Sequence, residues 1–408
     1  MKTNFEIPEI ISSLIILINF YIISVLPLSS LLYGYIYFIQ IFLFIIYFVV
    51  KLDLNKVLNF RFEANNLILY SEITLGLIFI IITLGISRDN NNDIRSISKI
   101  ITYVLFFIVF FNFYSFFLIS YNHFFNKFLY FIIVFSVINS IIGWYLIFFG
   151  TPSSIIYSGF HSGLFDHPNT NAYVYSLAIP IIYYKVVYAG EKNYLNLSIL
   201  VFLFISMLFT YSRSALIGLG LALLIITFFK SKKYTVLFII IISLLVFTIL
   251  DYFLFVKGSS SSISRLLLFY TAYDMIADNI NSFLFGYGVF RSLDIFVTEK
   301  LFSGSFEVVA DPHNLILLLA IQFGMIITIS FLIFVILVLI KSLVKINLLD
   351  SDIKGGVILS VSLIISLIVQ SLFEDIVVYP EKFVYPVFLI FLGYLYHSNR
   401  FKINKPNI

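Results

Sequence analysis

Three short polar motifs interrupt an otherwise apolar chain, and their residue types suit the handling of an anion and of a hydroxyl group. They occupy residues 163–169 (GLFDHPN), 210–214 (TYSRS) and 311–314 (DPHN). Arg213 carries a planar guanidinium that matches phosphate oxygens. His313 is of the residue type that most readily accepts a proton near neutral pH. The motifs therefore predict a site that binds a phosphate and moves a proton.

Each motif also has a purely structural interpretation. Pro168 is typical of a first helical turn, so the first motif can be a loop that ends in a helix. Arg213 can reach toward lipid headgroups. Asp311 resembles a helix N-cap, with Pro312 in the first turn that follows. In the functional interpretation the first motif shapes a polar pocket in which Asn169 or His167 contacts a hydroxyl or a phosphate.

The elements that must position these motifs are membrane helices. Of the 408 residues, 61% are hydrophobic and only 11% are charged, whereas soluble domains have about 25% charged residues. Long continuous apolar runs are typical of membrane helices and not of barrel strands. The chain has no Cys, which excludes disulfides and thiolate metal sites. The spacing of His161, His167 and His313 is not that of metal ligands, so no metal site is expected.

The apolar runs predict an all-α polytopic membrane protein with about twelve transmembrane helices. The predicted spans are 8–25, 31–50, 67–86, 100–120, 128–150, 169–187, 196–211, 214–229, 235–256, 313–340, 356–378 and 382–397. We expect residues 1–408 to form a single integral membrane domain. Most connections are short, but residues 257–312 form a loop between spans nine and ten that is too long for a structureless connection.

The distribution of basic residues predicts that both termini are cytoplasmic. In this orientation the inner segments carry nearly twice as many Lys and Arg residues as the outer ones. Segment 87–99 is an exception to this distribution, because it is predicted to lie on the outer side and carries Arg88, Arg95 and Lys99. The long loop is then periplasmic, and spans six, eight and ten begin at the outer face. The three motifs therefore share one side of the membrane, at helix N-termini, which favour anions.

The long loop is expected to contain a helix that lies at the membrane interface. The helix should run over residues 263–279 and place Leu266, Phe269, Tyr270 and Tyr273 on one side.

Two arginines and a pair of glycines in the same loop are further candidates. Arg265 lies on the predicted helix, and Arg291 follows the sequence Gly286-x-Gly288. Paired glycines permit a tight turn and a close backbone approach.

The order, spacing and common sidedness of these motifs resemble the bacterial O-antigen ligase and O-antigen polymerase superfamily of membrane glycosyltransferases. The resemblance covers residues 159–324. It depends on Gly163-x-Phe165, Pro168-Asn169, Thr210-x-Ser212-Arg213-Ser214, Arg265, Gly286-x-Gly288, Pro312-His313-Asn314 and Gly324. The five N-terminal spans carry no matching motif.

The resemblance implies an enzyme of the bacterial inner (plasma) membrane whose active site faces the periplasm. Its donor would be a glycan joined through a diphosphate to a polyprenol such as undecaprenol. His313 would be the catalytic base or would position the acceptor hydroxyl, and Arg213 would be the second catalytic residue. Arg213, Arg265 and Arg291 would bind the diphosphate. The remaining substrate-binding candidates are Asn169, Ser212, Asn314 and Asp166.

The resemblance also sets expectations for cofactors and partners. No metal, nucleotide or other cofactor would be needed, because the diphosphate leaving group already carries the reaction energy. The partners would be the lipid-linked glycan donor, a glycan acceptor, membrane lipids and a polysaccharide chain-length regulator. No nucleic acid would be involved.

Two reactions fit the resemblance. One is polymerisation of lipid-linked repeat units of the O-antigen or capsule type, and the other is ligation of a finished glycan to a final acceptor, as in lipopolysaccharide. We favour polymerisation, because the polymerases are highly divergent and a chain rich in Phe, Ile, Tyr and Asn suits that branch. One polymerase pattern, Arg followed eleven residues later by Gly, is missing after Arg213, Arg265 and Arg291.

A lipid-linked oligosaccharide flippase is the alternative from another class. A flippase predicts charged residues spread along a cavity inside the spans, whereas the polar residues of this chain concentrate on one face. Glu374 and Asp375, near the outer end of span eleven, leave two interpretations open. They can pair with a site arginine or bind the acceptor, or they can be two acids at a helix end.

Overall fold

The computed structural model describes residues 107–120, 122–150, 161, 163–165, 168–191, 193–236, 239, 260–288, 292, 295–296, 312–374 and 384–399. Every regular element in these ranges is a helix, and they contain no strand. The predicted spans 8–25, 31–50 and 67–86, nearly all of 235–256, and both termini lie outside the described residues. The predicted number of spans and the position of the termini therefore stay predictions.

The helices are numbered here in chain order. A π-helical turn, Phe107–Tyr114, precedes α1, and a second one, Tyr184–Tyr188, continues α3. The helices are α1 Ser115–Ser120, α2 Asn122–Phe149, α3 Pro168–Tyr183, α4 Tyr194–Leu208, α5 Arg213–Lys230, α6 Ser260–Ala277, α7 Ile280–Phe285, α8 Leu315–Lys345, α9 Ser351–Ser371 and α10 Val384–Ser398.

Four of the described helices are long and apolar enough to cross a membrane. They are His123–Phe149, Arg213–Lys230, Leu315–Leu348 and Ile353–Ser371, and they correspond to predicted spans five, eight, ten and eleven. Two shorter apolar helices, Tyr194–Leu208 and Val384–Ser398, coincide with predicted spans seven and twelve. The chain is thus a multi-pass membrane protein.

The helices α3, α9 and α10 form the interior of the described bundle. Helix α9 packs against α5, α10 and α3, and nearly all of its side chains between Gly355 and Ser371 are buried. Helix α2 instead exposes a stripe formed by Tyr130, Val134, Ile138 and Ile141, with the helical spacing of a face that suits contact with lipid.

Helix α8 is broken at Gly324, whereas the sequence predicted a continuous span there. Gly324 adopts φ 77° and ψ 170° inside this helix, a conformation that is open essentially to glycine alone. The break leaves the carbonyls of Ile321 and Gln322 available as acceptors for the loop that follows α7. The backbone N–H of Tyr287 donates to Ile321 at 2.7 Å, and that of Gly288 donates to Gln322 at 3.0 Å.

Lysines gather at one end of the bundle. The Lys185 ammonium lies 3.3 Å from the Glu191 carboxylate and 3.9 Å from the centre of the Tyr130 ring. Lys230 donates to the carbonyl of Tyr188 at 3.1 Å. These residues follow or end α3 and α5, so this end lies a helix length away from the motifs at the N-termini of the same helices.

Candidate active site

The Glu374 carboxylate is the centre of the site. It follows the C-terminal end of α9, and the residue is only 8% exposed. Its Oε1 atom accepts a hydrogen bond of 2.7 Å from the Asn169 side chain and one of 2.6 Å from Nη2 of Arg265. A buried carboxylate needs such partners to offset its desolvation. The acid therefore joins the first turn of α3 to the loop helix α6.

His313 lies beside the same carboxylate. Its Nδ1 atom is 3.9 Å from Oε2 of Glu374, and the two side chains are 29% and 10% exposed. This contact brings the imidazole of the third motif together with Asn169 of the first motif and with Arg265 of the long loop.

Two of the motifs hold their backbone in an unusual conformation. Tyr211 has φ 52° and His313 has φ 49°, and these are the non-glycine residues with positive φ in the described part of the chain. A non-glycine residue in this region costs about 1–2 kcal/mol. Such conformations persist where the surrounding structure fixes them, and they concentrate at functional sites. The strained backbone conformations therefore lie two residues before Arg213 and at His313 itself.

Arg213 begins α5 next to this cluster. It is half-buried, and its charge is close enough to that of Arg265 for the two guanidinium groups to act on each other. Ser212 is the N-cap residue of α5 and is buried, with its hydroxyl 3.4 Å from that of Ser214. Two positive charges at a helix N-terminus form a strongly attractive environment for an anion.

Asn314 has a structural role that the sequence pattern had assigned to Asp311. It is the N-cap of α8, and its Oδ1 atom accepts from the N–H groups of Ile316 and Leu317, each at 3.0 Å. The N-cap is therefore three residues later than expected, and Pro312 precedes the helix. The side-chain N–H₂ donates to the carbonyl of Leu372 at 2.7 Å. The predicted substrate contact of Asn314 stays a prediction.

The first motif is anchored by a buried polar cluster. Leu164 donates its N–H to Oδ1 of Asn139 at 2.8 Å, and the Asn139 side chain donates to Asn171. Asn171 in turn donates to the carbonyl oxygen of His161 at 2.9 Å. The backbone N–H of His161 donates to the carbonyl of Phe209 at 2.9 Å. The cluster therefore joins the first motif to the residue that precedes the second one.

Burial governs the titration of His161, which lies in the segment between α2 and α3. The side chain is fully buried against Gly143 and Trp144 of α2. Burial lowers its pKa from 6.5 to about 4, because a charged imidazole would lose its hydration there. His161 is therefore neutral near neutral pH and acts as a structural group.

The glycines of the long loop permit a close contact between α7 and α8. A Cβ on Gly286 would lie 2.7 Å from the carbonyl group of Gln322 and from the N–H of Gly324. A Cβ on Gly324 would overlap the carbonyl of Leu284. Both glycines have positive φ. The predicted close backbone approach is thus confirmed, and it fixes α7 against the helix that begins just after His313.

The loop helix α6 forms as expected, with bounds Ser260–Ala277. Leu266, Tyr270 and Tyr273 are 56%, 56% and 64% exposed, whereas Phe269 is half-buried. Arg265 lies next to this exposed stripe and turns toward Glu374. The helix thus presents one apolar face outward and one cationic residue to the site.

The structure brings together Asn169, Arg213, Arg265 and His313 around Glu374. The ion pair of Glu374 with Arg265 agrees with the first of the two interpretations left open for this acid. The predicted site residues Asp166 and Arg291 lie outside the described residues, as do His167, Asp311 and Asp375. Asn139 and Asn171 were not recognised from the sequence, although a buried amide within an apolar helix is a usable signal. Among the described residues, no group of His, Asp and Glu could hold a metal ion. Metal independence stays a prediction.

The fold and the site together define the class of protein. It is a multi-pass helical membrane protein in which cationic and imidazole side chains gather at one end of the helices. Residues 198–332 match the family model described as O-antigen ligase. This stretch is therefore similar to the O-antigen ligase family over about a third of the chain. No significant match to a curated protein was found. The matched stretch includes Arg213, Arg265 and His313 but neither Asn169 nor Glu374.

Proposed function

We propose that the protein polymerises lipid-linked oligosaccharide repeat units of the O-antigen or capsule type, by transferring a glycan from a polyprenyl diphosphate to an acceptor sugar hydroxyl. The observation that carries the proposal is the meeting of Asn169, Arg265 and His313 at Glu374, with Arg213 beside them. These are the groups that such a transfer needs, inside a protein of which residues 198–332 are similar to the O-antigen ligase family.

The roles follow from the chemistry of the transfer. The acceptor hydroxyl oxygen forms a bond to the anomeric carbon, and the bond from that carbon to the diphosphate oxygen breaks. The electron pair stays on the diphosphate, where Arg213 and Arg265 stabilise the developing charge. The hydroxyl proton passes to His313 as general base. Ser212, Asn169 and, in the segments outside the described residues, Arg291 and Asp166 complete the proposed substrate contacts.

The distribution of lysines supports a site on the outer side of the bacterial inner membrane. Lys185, Lys230 and Lys345 lie at the ends of α3, α5 and α8 opposite to the site. Lys232 and Lys233 follow α5 at the same end. By the positive-inside rule this end is cytoplasmic, and the site then faces the periplasm. A lipid-linked donor that has been moved to the outer leaflet would meet it there.

The exposed stripe on α6 supports a donor that arrives within the membrane. Leu266, Tyr270 and Tyr273 form an aromatic and aliphatic face of the kind that lies at a membrane interface. Arg265, on the same helix, would then lie at the depth of the lipid phosphates. This is the depth at which the diphosphate of a polyprenyl donor is presented.

Ligation of a finished glycan to a final acceptor is the second candidate. The description of the matched domain as O-antigen ligase favours it, and the donor, the diphosphate contacts and the base would be the same. We favour polymerisation because the chain composition suits the divergent polymerase branch. A polymerase of this kind would have a polysaccharide chain-length regulator as a partner.

The position of buried charges favours an enzyme over a flippase. Among the described residues the buried Lys, Arg, Asp and Glu side chains are Lys185 and Glu374. They lie at opposite ends of the helices and not along a central cavity. A flippase that carries a charged headgroup across the membrane needs polar contacts between these ends.

Complementation of a deletion strain tests the proposal. H313A and R213A are expressed beside the wild type, surface polysaccharide is separated on a gel, and protein amounts in the membrane are measured. H123A and K232A are matched controls, because His123 and Lys232 are exposed residues at the opposite end of the bundle. Both controls should give the wild-type ladder.

Each outcome of this experiment selects one function. Glycans that stop at a single repeat unit, with normal protein amounts, support the polymerase. Long lipid-linked chains that never reach a final acceptor replace it with the ligase. Wild-type ladders from both H313A and R213A would overturn the assignment of the site.

A further inference from the structure

We infer that Glu374 is a positioning residue that orients the His313 imidazole and strengthens it as a base, while holding Arg265 in place for the diphosphate. The inference rests on the proposed function, in which His313 accepts the acceptor proton. Nothing in the matched domain assigns this role, because Glu374 lies beyond residue 332.

The two oxygens of the carboxylate have separate tasks. Oε1 accepts from both Asn169 and Arg265, at 2.7 and 2.6 Å, and these two bonds fix the plane of the group. Oε2 is thereby directed at the imidazole, 3.9 Å from Nδ1 of His313. This distance exceeds that of a hydrogen bond, but such contacts commonly shorten when substrate binds.

The contact selects the ring nitrogen that does the chemistry. A carboxylate beside Nδ1 favours the tautomer in which Nδ1 carries the proton, because that N–H can donate to Oε2. The lone pair then lies on Nε2, on the far side of the ring from Glu374. Nε2 is therefore the atom that receives the proton of the acceptor hydroxyl.

A contact between the neighbours of His313 and Glu374 keeps these two residues close together. Asn314, the residue after His313, donates its side-chain N–H₂ to the carbonyl of Leu372 at 2.7 Å. Leu372 is two residues before Glu374. His313 itself adopts φ 49°, outside the helical region, and α8 begins only after it. The base and the carboxylate are thus tied together through their own neighbours.

The charges around His313 explain why a carboxylate is needed. Arg265, which pairs with the same carboxylate, and the N-terminus of α8 oppose a positive charge on the imidazole. Glu374 supplies the opposing negative charge. Asp166, His167, Asp311 and Asp375 are further titratable residues next to site residues in the sequence, in segments outside the described residues.

During transfer Glu374 stabilises the imidazolium and does not itself take the proton. The acceptor oxygen bonds to the anomeric carbon, the carbon–oxygen bond to the diphosphate breaks, and the electron pair leaves with the diphosphate. The hydroxyl proton moves to Nε2 of His313. The imidazolium forms beside Oε2 and returns its proton to water after the product leaves.

The variant E374Q tests this role by keeping the shape and removing the charge. Its amide oxygen can still accept from Asn169 and Arg265, but its N–H₂ then faces Nδ1 of His313 and favours the wrong tautomer. We expect kcat to fall by about 10²–10⁴-fold, with little change in KM for the donor. The acidic limb of the pH–rate profile should move to lower pH, because the negative charge beside the imidazole is gone.

The assay uses the full-length protein in detergent and follows the release of polyprenyl diphosphate. Its donor is lipid-linked glycan extracted from the deletion strain. D274N is the matched control, since Asp274 is an exposed carboxylate on α6, and it should keep the wild-type profile. An E374Q enzyme with wild-type kcat, or with an unmoved acidic limb, would overturn the inference.

A double-mutant comparison separates action through His313 from a general structural role. In the H313A background E374Q should cost little of the residual activity, because the group through which it acts is already absent. An equal fractional loss in both backgrounds would overturn the inference.

A second variant, E374D, tests the same role in case E374Q folds poorly. E374D retains the charge and should keep the acidic limb at its wild-type position with a lower kcat, and a shifted limb would count against the inference.

Failure of the inference can be told apart from failure of the proposed function. If H313A keeps wild-type activity, His313 is not the base and the proposed function fails with it. If H313A loses most of its activity while E374Q is normal in rate and in pH profile, only the role of Glu374 is wrong.

Discussion

Arg265 and Glu374 form an ion pair of 2.6 Å between the long loop and the end of α9. The two residues are 109 positions apart in the sequence. Arg265 is the more exposed partner, with 34% of its side chain accessible against 10% for Glu374. The pair fastens the loop helix α6 to the helix bundle and leaves part of the Arg265 side chain accessible.

Loss of this pair should loosen the loop. R265A leaves a carboxylate that is 8% exposed without its cationic partner, and we expect a loss of about 1–3 kcal/mol in stability. Thermal unfolding in detergent measures it. The double variant R265A/E374Q should recover part of the loss, because the uncompensated charge is removed. No recovery would indicate that the pair contributes through packing alone.

Alanine at Gly324 should damage the fold more than alanine at another glycine of positive φ. G324A requires both a strained φ of 77° and an overlap with the Leu284 carbonyl. G190A is the matched control, because Gly190 has φ 80° but no atom within 4 Å of the added Cβ. The control should cost about 1–2 kcal/mol, and G324A clearly more. Limited proteolysis of the 257–312 loop together with thermal unfolding compares them, and equal effects would contradict the close contact between α7 and α8.

The backbone of His313 can be tested separately from its chemistry. H313G and H313A should both lose most of their activity and keep only a small residual rate. H313G should nevertheless be more stable than H313A by about 1 kcal/mol, because glycine adopts φ 49° without strain. Ile316, in the first turn of α8, provides the comparison, since I316G should be less stable than I316A there. The same order at both positions would argue against a strained backbone at His313.

The stability of the protein should fall as the pH drops from about 6.5 toward 4. The unfolded chain protonates His161 at its ordinary pKa of 6.5, whereas burial lowers the pKa to about 4 in the folded protein. Between these values the unfolded state binds more protons, so stability is complete above 6.5 and is lost as the pH falls. The contribution of this residue is about 3 kcal/mol. Thermal unfolding at pH 7.5, 6 and 5 measures it, and H161N should flatten the dependence.

Local sequence pattern accounts for most of the helices. The predicted spans 128–150, 169–187, 196–211 and 214–229 coincide closely with α2, α3 with its π-helical turn, α4 and α5. Apolar run length and a helix-starting residue such as Pro168 are local signals, and the membrane leaves the backbone few alternatives to a helix. The sequence also indicated Asn169, Arg213, Arg265 and His313, because polar groups at helix ends are conspicuous in a chain with so few charges.

Other features depended on contacts that no local pattern contains. The N-cap of α8 is Asn314 and not the predicted Asp311, because the Asn314 side chain contacts both its own helix and the carbonyl of Leu372. The break at Gly324 depends on the backbone of α7, which supplies N–H donors to the carbonyls left free there.

The residue types, by themselves, determined that this chain would form apolar helices with a few cationic and imidazole groups at their ends, since hydropathy and helix-end chemistry act over neighbouring residues. Only the tertiary structure decided that Glu374 is the group at which those ends meet. A buried carboxylate is stabilised where the packing of α3, α6 and α9 places its donors, and that packing depends on contacts between helices far apart in the chain.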